Sequence, residues 1–439
     1  MNPQIQSTAN PDARQVAADH QKYLFPCALP LYNDPIILAE GSGTRVFDTD
    51  GREYLDLFSG ILTTSVGHCH PDVVSRIREQ AGRLGHTSTL YLNEPQVRFA
   101  KSLSEIAPGD LSQSFFTNSG TEAVETAVML ACLYTGRSEI IALRHAYSGR
   151  SILATELTAH ASWRPLASSL AGVKHVSPPY LYRFPIGGTE EAEFVEYLAS
   201  ELEDTIRTVT NGRPAAFMAE TILGVGGYIV PPKEYFRRMV DIVHSYGGLF
   251  ICDEVQAGFG RTGEKWFGIE HWGVEPDIMV MAKGIANGFP VGATITRPEI
   301  AEAWKTKTIS TFGGNAVCMA AADATLEVMK REDTPSRSAE RGGQLRRTLE
   351  SLCQEHGWIG EVRGMGLMQA LELVEDPVSK GPSPSRAKAL LESAKDQGLL
   401  LGIGGLHGNV IRIGPSMLIS EAEMSEALDR LTSAVRGVE

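Results

Sequence analysis

GGLFICDEVQAGFGRTG (Gly247–Gly263), followed shortly by MVMAKGIANGFP (Met279–Pro290), decides how the rest of this chain is read. GLFIC is a short apolar, β-rich run that stops at the acidic pair Asp253-Glu254, and DIMVMAK is a second such run that ends in Lys283. Each reads as a buried strand that delivers one ionisable residue at its C-terminal end. In open α/β sheets, ligands bind outside that edge. An aspartate buried at a strand end is costly unless it has a partner.

Outward from this pair, the chain keeps a strand–helix rhythm. SQSFFTN precedes a helix from Gly120, EIIALRH precedes a loop and helix, and RPAAFMAE precedes PKEYFRRMVDIVHSYG; GLFICDE, DIMVMAK and PVGATIT follow. That alternation predicts a mainly parallel sheet covered by helices, an α/β fold. On the N-terminal side, TRVFDTDGREYLDLFSG (residues 44–60) reads as a hairpin about Asp48-Thr49-Asp50-Gly51, and Pro71 opens a helix. Beyond residue 325 the texture changes to long amphipathic helices (317–331, 335–356), a β run at VRGMGLMQALEL, a helix at 384–397, short strands near 399–413 and a last helix at 420–436. The expected division is a large domain, 64–325, and a smaller α+β domain built from residues 1–63 and 326–439.

The bulk properties agree with a large globular chain. At 439 residues it exceeds one typical core. Its net charge of -13 argues against nucleic acid or an anionic membrane, which reward clustered Lys and Arg. Six cysteines form no CxxC pair, and the first 20 residues lack both an apolar core and an arginine-rich face, so the expected compartment is the cytoplasm.

Lys283 and Asp253 carry the chemistry. A lysine amine forms a Schiff base with an aldehyde, and a carboxylate keeps a pyridinium nitrogen protonated; both point to pyridoxal 5′-phosphate (PLP) as cofactor. Asn118-Ser119-Gly120-Thr121-Glu122 joins a strand to a long helix, where free N–H groups and hydroxyls suit an anion, although an ordinary N-cap has the same look. Val255 would pack on a flat ring and Gln256 would reach its hydroxyl. STFGGN (310–315) offers Thr311 as a further phosphate donor. Gly258-Phe-Gly260-Arg-Thr-Gly263 matches G-x-G-x-x-G but precedes EKWFGIEHWGV, which does not read as the helix a dinucleotide fingerprint requires. His68-Cys69-His70 lacks a second His/Cys pair at useful spacing, so no metal is expected.

With these residues in view, the chain resembles the class III PLP-dependent aminotransferases of fold type I. The motifs arrive in family order from about residue 30 to the end: GILTTSVGHCHP, FFTNSGTEA, AYSGRS, AETILGVGG, ICDEVQAGFGRTG, MAKGIANGFP, STFGGN, VRGMGLM and VIRIGPS. The closest texture is the subgroup of alanine–glyoxylate aminotransferase 2 and ethanolamine-phosphate phospho-lyase. The resemblance implies Lys283 as Schiff-base lysine, Asp253 on the pyridine nitrogen, Val255 and Tyr147 on the two ring faces, and Gln256 near the ring hydroxyl. Ser119, Gly120 and Thr121 would cradle the phosphate, with Thr311 arriving from a neighbouring subunit, so at least a homodimer is implied; the family also allows a tetramer. Arg412 would bind the substrate carboxylate, with Glu220 neutralising it when the donor lacks one. Tyr23, Phe25, Phe58 and Trp163 would line the pocket; Arg150 and Arg164 are candidates for a second acidic group. Three positions depart from the family pattern: Ser148, Thr221 and Ala316.

The expected function is transfer of an amino group from an amine or amino acid, ω- and β-amino compounds included, to a 2-oxo acid such as pyruvate or glyoxylate. The alternative in the same fold is a phospho-lyase acting on an amino-phosphate such as ethanolamine phosphate. A non-catalytic PLP-binding protein is the remote alternative, since it would be expected to have lost Lys283 or Asp253.

Overall fold

A computed structural model describes residues 12–167, 172–186 and 188–438. Its centre is a seven-stranded sheet with the spatial order Gln113–Thr117, Gly292–Thr296, Ile278–Met281, Leu249–Asp253, Ala216–Glu220, Ile140–Leu143 and Val173–Val176. The last five strands run parallel. Gly292–Thr296 is antiparallel to both its neighbours, Ile278–Met281 and Gln113–Thr117. The fold is thus α/β with a mainly parallel sheet, as the rhythm predicts; strand direction at this edge has no signature in the apolar pattern.

The central strands Ile278–Met281, Leu249–Asp253, Ala216–Glu220 and Ile140–Leu143 are apolar up to the carboxylates that end two of them, because both faces are covered. Side chains alternate across the sheet. Ala216, Met218, Leu249, Ile251, Ile278 and Val280 pack under the helix Gly120–Thr135, through its Ala123, Val124, Ala127 and Ala131. Phe217, Ala219, Phe250 and Cys252 face the opposite core, which contains Met239 and Val243 of the helix Tyr235–Ser245 and Phe194 and Leu198 of the helix Glu191–Val209. The parallel register pairs Glu220 with Asp253 at the C-terminal edge of the sheet.

Two four-stranded sheets flank this layer. One joins Leu38–Ser42, Arg45–Asp48 and Glu53–Asp56 to Leu399–Leu400, which pairs parallel with Glu53–Asp56. The other contains Ile359–Met365, Met368–Leu373, Val410–Ile413 and Gly402–Gly404. VRGMGLMQALEL, read as one β run, is the tight antiparallel hairpin of the first two strands, which turns at Gly366 with φ +51°. The amphipathic helices form at Ala316–Arg331, Thr334–Glu355, Pro384–Asp396 and Glu421–Arg436. Among the described residues, no helix is long and apolar enough to cross a membrane.

Asp277 anchors the two strands that carry the decisive residues. Its buried carboxylate accepts hydrogen bonds from Phe250 N–H (2.7 Å), His244 Nε2 (2.8 Å) and Arg297 Nη2 (2.6 Å). Burial alone would raise its pKa, but the His244 and Phe250 bonds outweigh that and hold it below the ordinary 3.8, while the same carboxylate raises His244 above 6.5. Asp277→Asn is expected to lower the unfolding free energy by about 1–3 kcal/mol, measured by urea denaturation. Asp277's share is present above its unfolded pKa and is lost as pH falls through its depressed folded value. The His244 share is present below 6.5 and is lost as pH rises through the raised folded value, so the wild-type advantage is greatest between pH 3.8 and 6.5.

Candidate active site

Asp253 ends its strand and Lys283 follows Ile278–Met281 by two residues, so adjacent parallel strands aim both groups at one cavity of about 290 Å³. Lys283 itself has φ +45°, in the left-handed region that L-residues rarely occupy and that tends to persist at functional sites. Asn287 (φ +48°) fastens the following turn: its amide accepts from Val66 N–H (3.0 Å) and donates to Gly67 C=O (2.8 Å). A β-carbon at Gly284 would lie 2.4 Å from Ser65 Oγ, so the loop 58–67 backs directly onto the lysine turn.

Ser119, Gly120, Thr121, Tyr147 and Val255 complete the wall. Ser119 caps the helix Gly120–Thr135, accepting from Glu122 N–H (3.2 Å), and Glu122 reaches back to Asn118 N–H (2.7 Å). Among the described residues the N–H groups of Gly120 and Thr121 have no acceptor within the chain, and they open on the cavity with the positive end of the helix dipole. Tyr147 stands edge-on to Trp163, with ring centroids 5.7 Å apart. Thr311 is exposed and does not reach the cavity within one chain. Gln256 is buried against Gly224, with its amide oxygen lacking a partner among the described residues, and it does not line the cavity.

Three buried carboxyls crowd this sheet edge. Burial pushes Asp253 up to about 6, against the pull of Val255 N–H and Lys283. Burial and the Asp253 charge push Glu220 up to about 8. Burial raises Glu254 to about 7, although it accepts from Thr221 Oγ1 (2.6 Å), Ile269 N–H (2.7 Å) and Gly268 N–H (3.0 Å). The hydroxyl of Thr221, a departure from the family pattern, thus supplies one of these bonds. Burial lowers Lys283, while Asp253 and Glu220 draw it back up.

Arg412 is buried in Val410–Ile413. Its guanidinium donates to Ile403 C=O (2.8 and 3.1 Å) and Gly224 C=O (3.3 Å), and lies 5.0 Å from the Phe58 ring centroid and 5.7 Å from that of Tyr228. Among the described residues Arg412 and Glu220 make no hydrogen bond to each other. Glu220 spends one oxygen on Tyr147 N–H (2.9 Å) and the other on Gly224 N–H (2.7 Å), so backbone amides take the place of the guanidinium. Arg164 pairs with Glu156 at 3.1 Å, and Arg150 is exposed. His68 binds Asp56 (2.8 Å), and His70 accepts from Asp72 N–H at the start of the helix Pro71–Arg83. The sequence reading missed Asn287, Asp56 and the cavity residue Thr63; GILTTSVGHCHP was a visible signal, but the partners lie on other segments.

An amine and a carboxylate at the C-terminal edge of a mainly parallel sheet, facing an open helix start, define a PLP enzyme of fold type I. The family profile "Aminotransferase class-III" matches residues 30–435, and the chain belongs to that family. It is a PLP-dependent aminotransferase that uses an amino donor and a keto-acid acceptor. It is 40% identical over 423 residues to the mitochondrial alanine–glyoxylate aminotransferase 2 homolog 2 of Arabidopsis thaliana, covering 95% of this chain and 87% of that one. It is 35% identical to a leucine/methionine racemase of Thermococcus litoralis, covering 95% and 94% of the two chains. A crystal structure of a thermostable (S)-enantioselective omega-transaminase from Thermomicrobium roseum superposes with a TM-score of 0.90 at 32% identity, covering 98% and 100%.

The donor set fits the cofactor. PLP supplies an aldehyde, a pyridinium electron sink and a phosphate dianion; the cavity offers the Lys283 amine, a buried Asp253 that among the described residues accepts one hydrogen bond, and the open N–H groups of Gly120 and Thr121. The raised Glu220 has a consequence for the cofactor-free chain. Its folded state holds a proton that the unfolded state has released between pH 4.5 and about 8, so stability falls as pH rises through that window. Glu220→Gln removes this slope. Urea denaturation of apo-protein at the two ends of the window is expected to show the variant gaining on wild type as pH rises.

Proposed function

We propose that the transfer runs between an α-amino acid such as alanine and a 2-oxo acid such as glyoxylate or pyruvate, with Lys283 as the catalytic base and cofactor-tethering lysine. The observation that carries this reading is the meeting of Lys283 and Asp253 at neighbouring strand ends on a cavity walled by the start of Gly120–Thr135. Asp253 would hold the ring nitrogen, Val255 and Tyr147 the ring faces, and Ser119, Gly120 and Thr121 the phosphate; Gln256 has hydrogen-bonding capacity to spend near the ring hydroxyl. Lowering the Lys283 pKa raises the fraction of free amine that takes the proton from substrate Cα.

Arg412 would receive the substrate carboxylate. Among the described residues the buried guanidinium donates only to carbonyls and has no carboxylate in contact, and a substrate carboxylate would supply that partner. Glu220, already committed to two N–H groups, acts on Tyr147 and Gly224 rather than on the arginine. Donors without a carboxylate are therefore the poorer substrates.

The exposed Thr311 supports an assembly in which it serves the neighbouring subunit's phosphate site, making the unit a homodimer or a larger assembly. The proposed division of the chain is 64–325 for the large domain, with 1–63 and 326–439 forming the small one; Leu399 pairing with Leu55 supports it. Six unpaired cysteines support a reducing compartment, which we take as the cytoplasm; the Arabidopsis relative is named mitochondrial, and cell fractionation distinguishes the two.

Lys283→Ala is expected to abolish alanine-to-glyoxylate transfer and the cofactor band near ~420 nm that a lysine-bound aldehyde gives. Arg412→Gln is expected to raise the KM for alanine roughly 10–100-fold, the value of a charge-assisted hydrogen bond, while sparing 1-phenylethylamine. Phosphate released from ethanolamine phosphate without a 2-oxo acid would instead make the protein a lyase. Loss of optical purity of alanine without an acceptor would make it a racemase.

A further inference from the structure

Behind Arg412 lies a loop in an unusual conformation. Ser59, Gly60, Ile61 and Leu62 form four successive left-handed residues, with φ of +50°, +58°, +65° and +58°. Only one of them is glycine, and Ile61 is β-branched, the residue class least suited to that region. A strained turn persists only where its surroundings over-determine it.

Those surroundings are specific. Asp56 Oδ1 accepts from both Phe58 N–H (2.9 Å) and Ser59 N–H (2.8 Å), at the entrance to the turn. Its other oxygen is held by His68 Nε2 at 2.8 Å, and His68 is tied to Gly43 through both its N–H (2.7 Å) and its C=O (2.9 Å). Leu57 is strapped to Leu400 C=O (3.0 Å) on one side and on the other to the N–H of Gly414 (2.7 Å), which directly follows the strand that carries Arg412. Between these clamps the Phe58 ring has one place to go. It lies against Gly402, where a β-carbon would fall 2.1 Å from its Cε2, and beneath the Arg412 guanidinium at 5.0 Å. Gly402 begins the strand whose Ile403 carbonyl receives Arg412.

We propose that Asp56, clamped by His68, is a positioning residue for substrate-carboxylate recognition. It fixes the Phe58 ring as the floor on which Arg412 lies, and so sets where the guanidinium meets a carboxylate. The proposal rests on the reading of Arg412 given above. Asp56 touches neither cofactor nor substrate; it acts through Phe58.

The test uses holoenzyme carrying Asp56→Ala, Asp56→Asn, His68→Ala, Phe58→Leu or Arg412→Gln, with KM and kcat measured for L-alanine and for 1-phenylethylamine at saturating glyoxylate. Asp56→Ala and His68→Ala are expected to raise the alanine KM about tenfold, part of what Arg412→Gln costs, with kcat and the 1-phenylethylamine constants nearly unchanged, and Phe58→Leu is expected to raise the alanine KM at least as much. Asp56→Asn is expected to restore most of the loss, because its Oδ1 still accepts both N–H groups and its amide donates to the other His68 tautomer. Equal losses with both donors, or an unchanged alanine KM where Arg412→Gln raises it, would show a merely structural loop and overturn the proposal. An alanine KM unmoved by Arg412→Gln itself would instead overturn the reading of Arg412. If Asp56→Ala does not fold, His68→Ala decides by the same split.

Discussion

The parallel register that sets Glu220 beside Asp253 is the constraint from which the site follows. Two carboxyls at adjacent strand ends, with Glu254 one residue further on, place a concentration of acidic groups where water is excluded. Such groups must find partners or give up their charge. Glu254 finds a hydroxyl and two amides, Glu220 finds two amides, and Asp253 keeps one amide and the nearby lysine. Of the three, Asp253 alone borders the cavity with hydrogen-bonding capacity left over. The sheet edge thereby sorts chemically similar groups into two that hold loops and one that is available to a ring nitrogen.

Backbone strain gathers around the same edge. Lys283, Asn287 and the turn Ser59–Leu62 are left-handed, at a cost of about 1–2 kcal/mol for each L-residue. Net stability in folded proteins is only about 5–15 kcal/mol, so this strain has to be offset by the continuous core on both faces of the central sheet. The return is rigidity: the lysine turn and the Phe58 loop brace one another through Asn287, Ser65 and Gly284.

Much of this was legible in the sequence because chemistry and pattern coincide there. An apolar run that stops at an ionisable residue marks both a buried strand and its functional end, which is why Asp253 and Lys283 stand out without a structure. Ser119-Gly120-Thr121 is legible as a helix start, and the G-x-G-x-x-G at Gly258 is rejected correctly because no α-helix follows it. What stayed hidden depends on partners far along the chain. Glu220 is acidic in any reading, but only the fold reveals the amides of Tyr147 and Gly224 that hold it. Asp56 gives no sign of its work, since its role lies in backbone angles and in a histidine that the motif GHCHP made look like a possible ligand. The direction of Gly292–Thr296 was equally invisible, because covered strands read alike whichever way they run.

Leu399–Leu400 pairs in parallel with a strand more than three hundred residues upstream, and this has a bearing on biosynthesis. A chain made from its N-terminus completes Asp253 and Lys283 well before Arg412 and its supporting strands exist. Long-range pairings of this kind form late, because closing so large a loop has to precede any gain from the contact. The half of the active site that handles the amine can therefore take shape on the ribosome while the N-terminal strands still wait, one edge unpaired, for the end of the chain. The strand that carries Arg412 is among the last parts of the fold to be built.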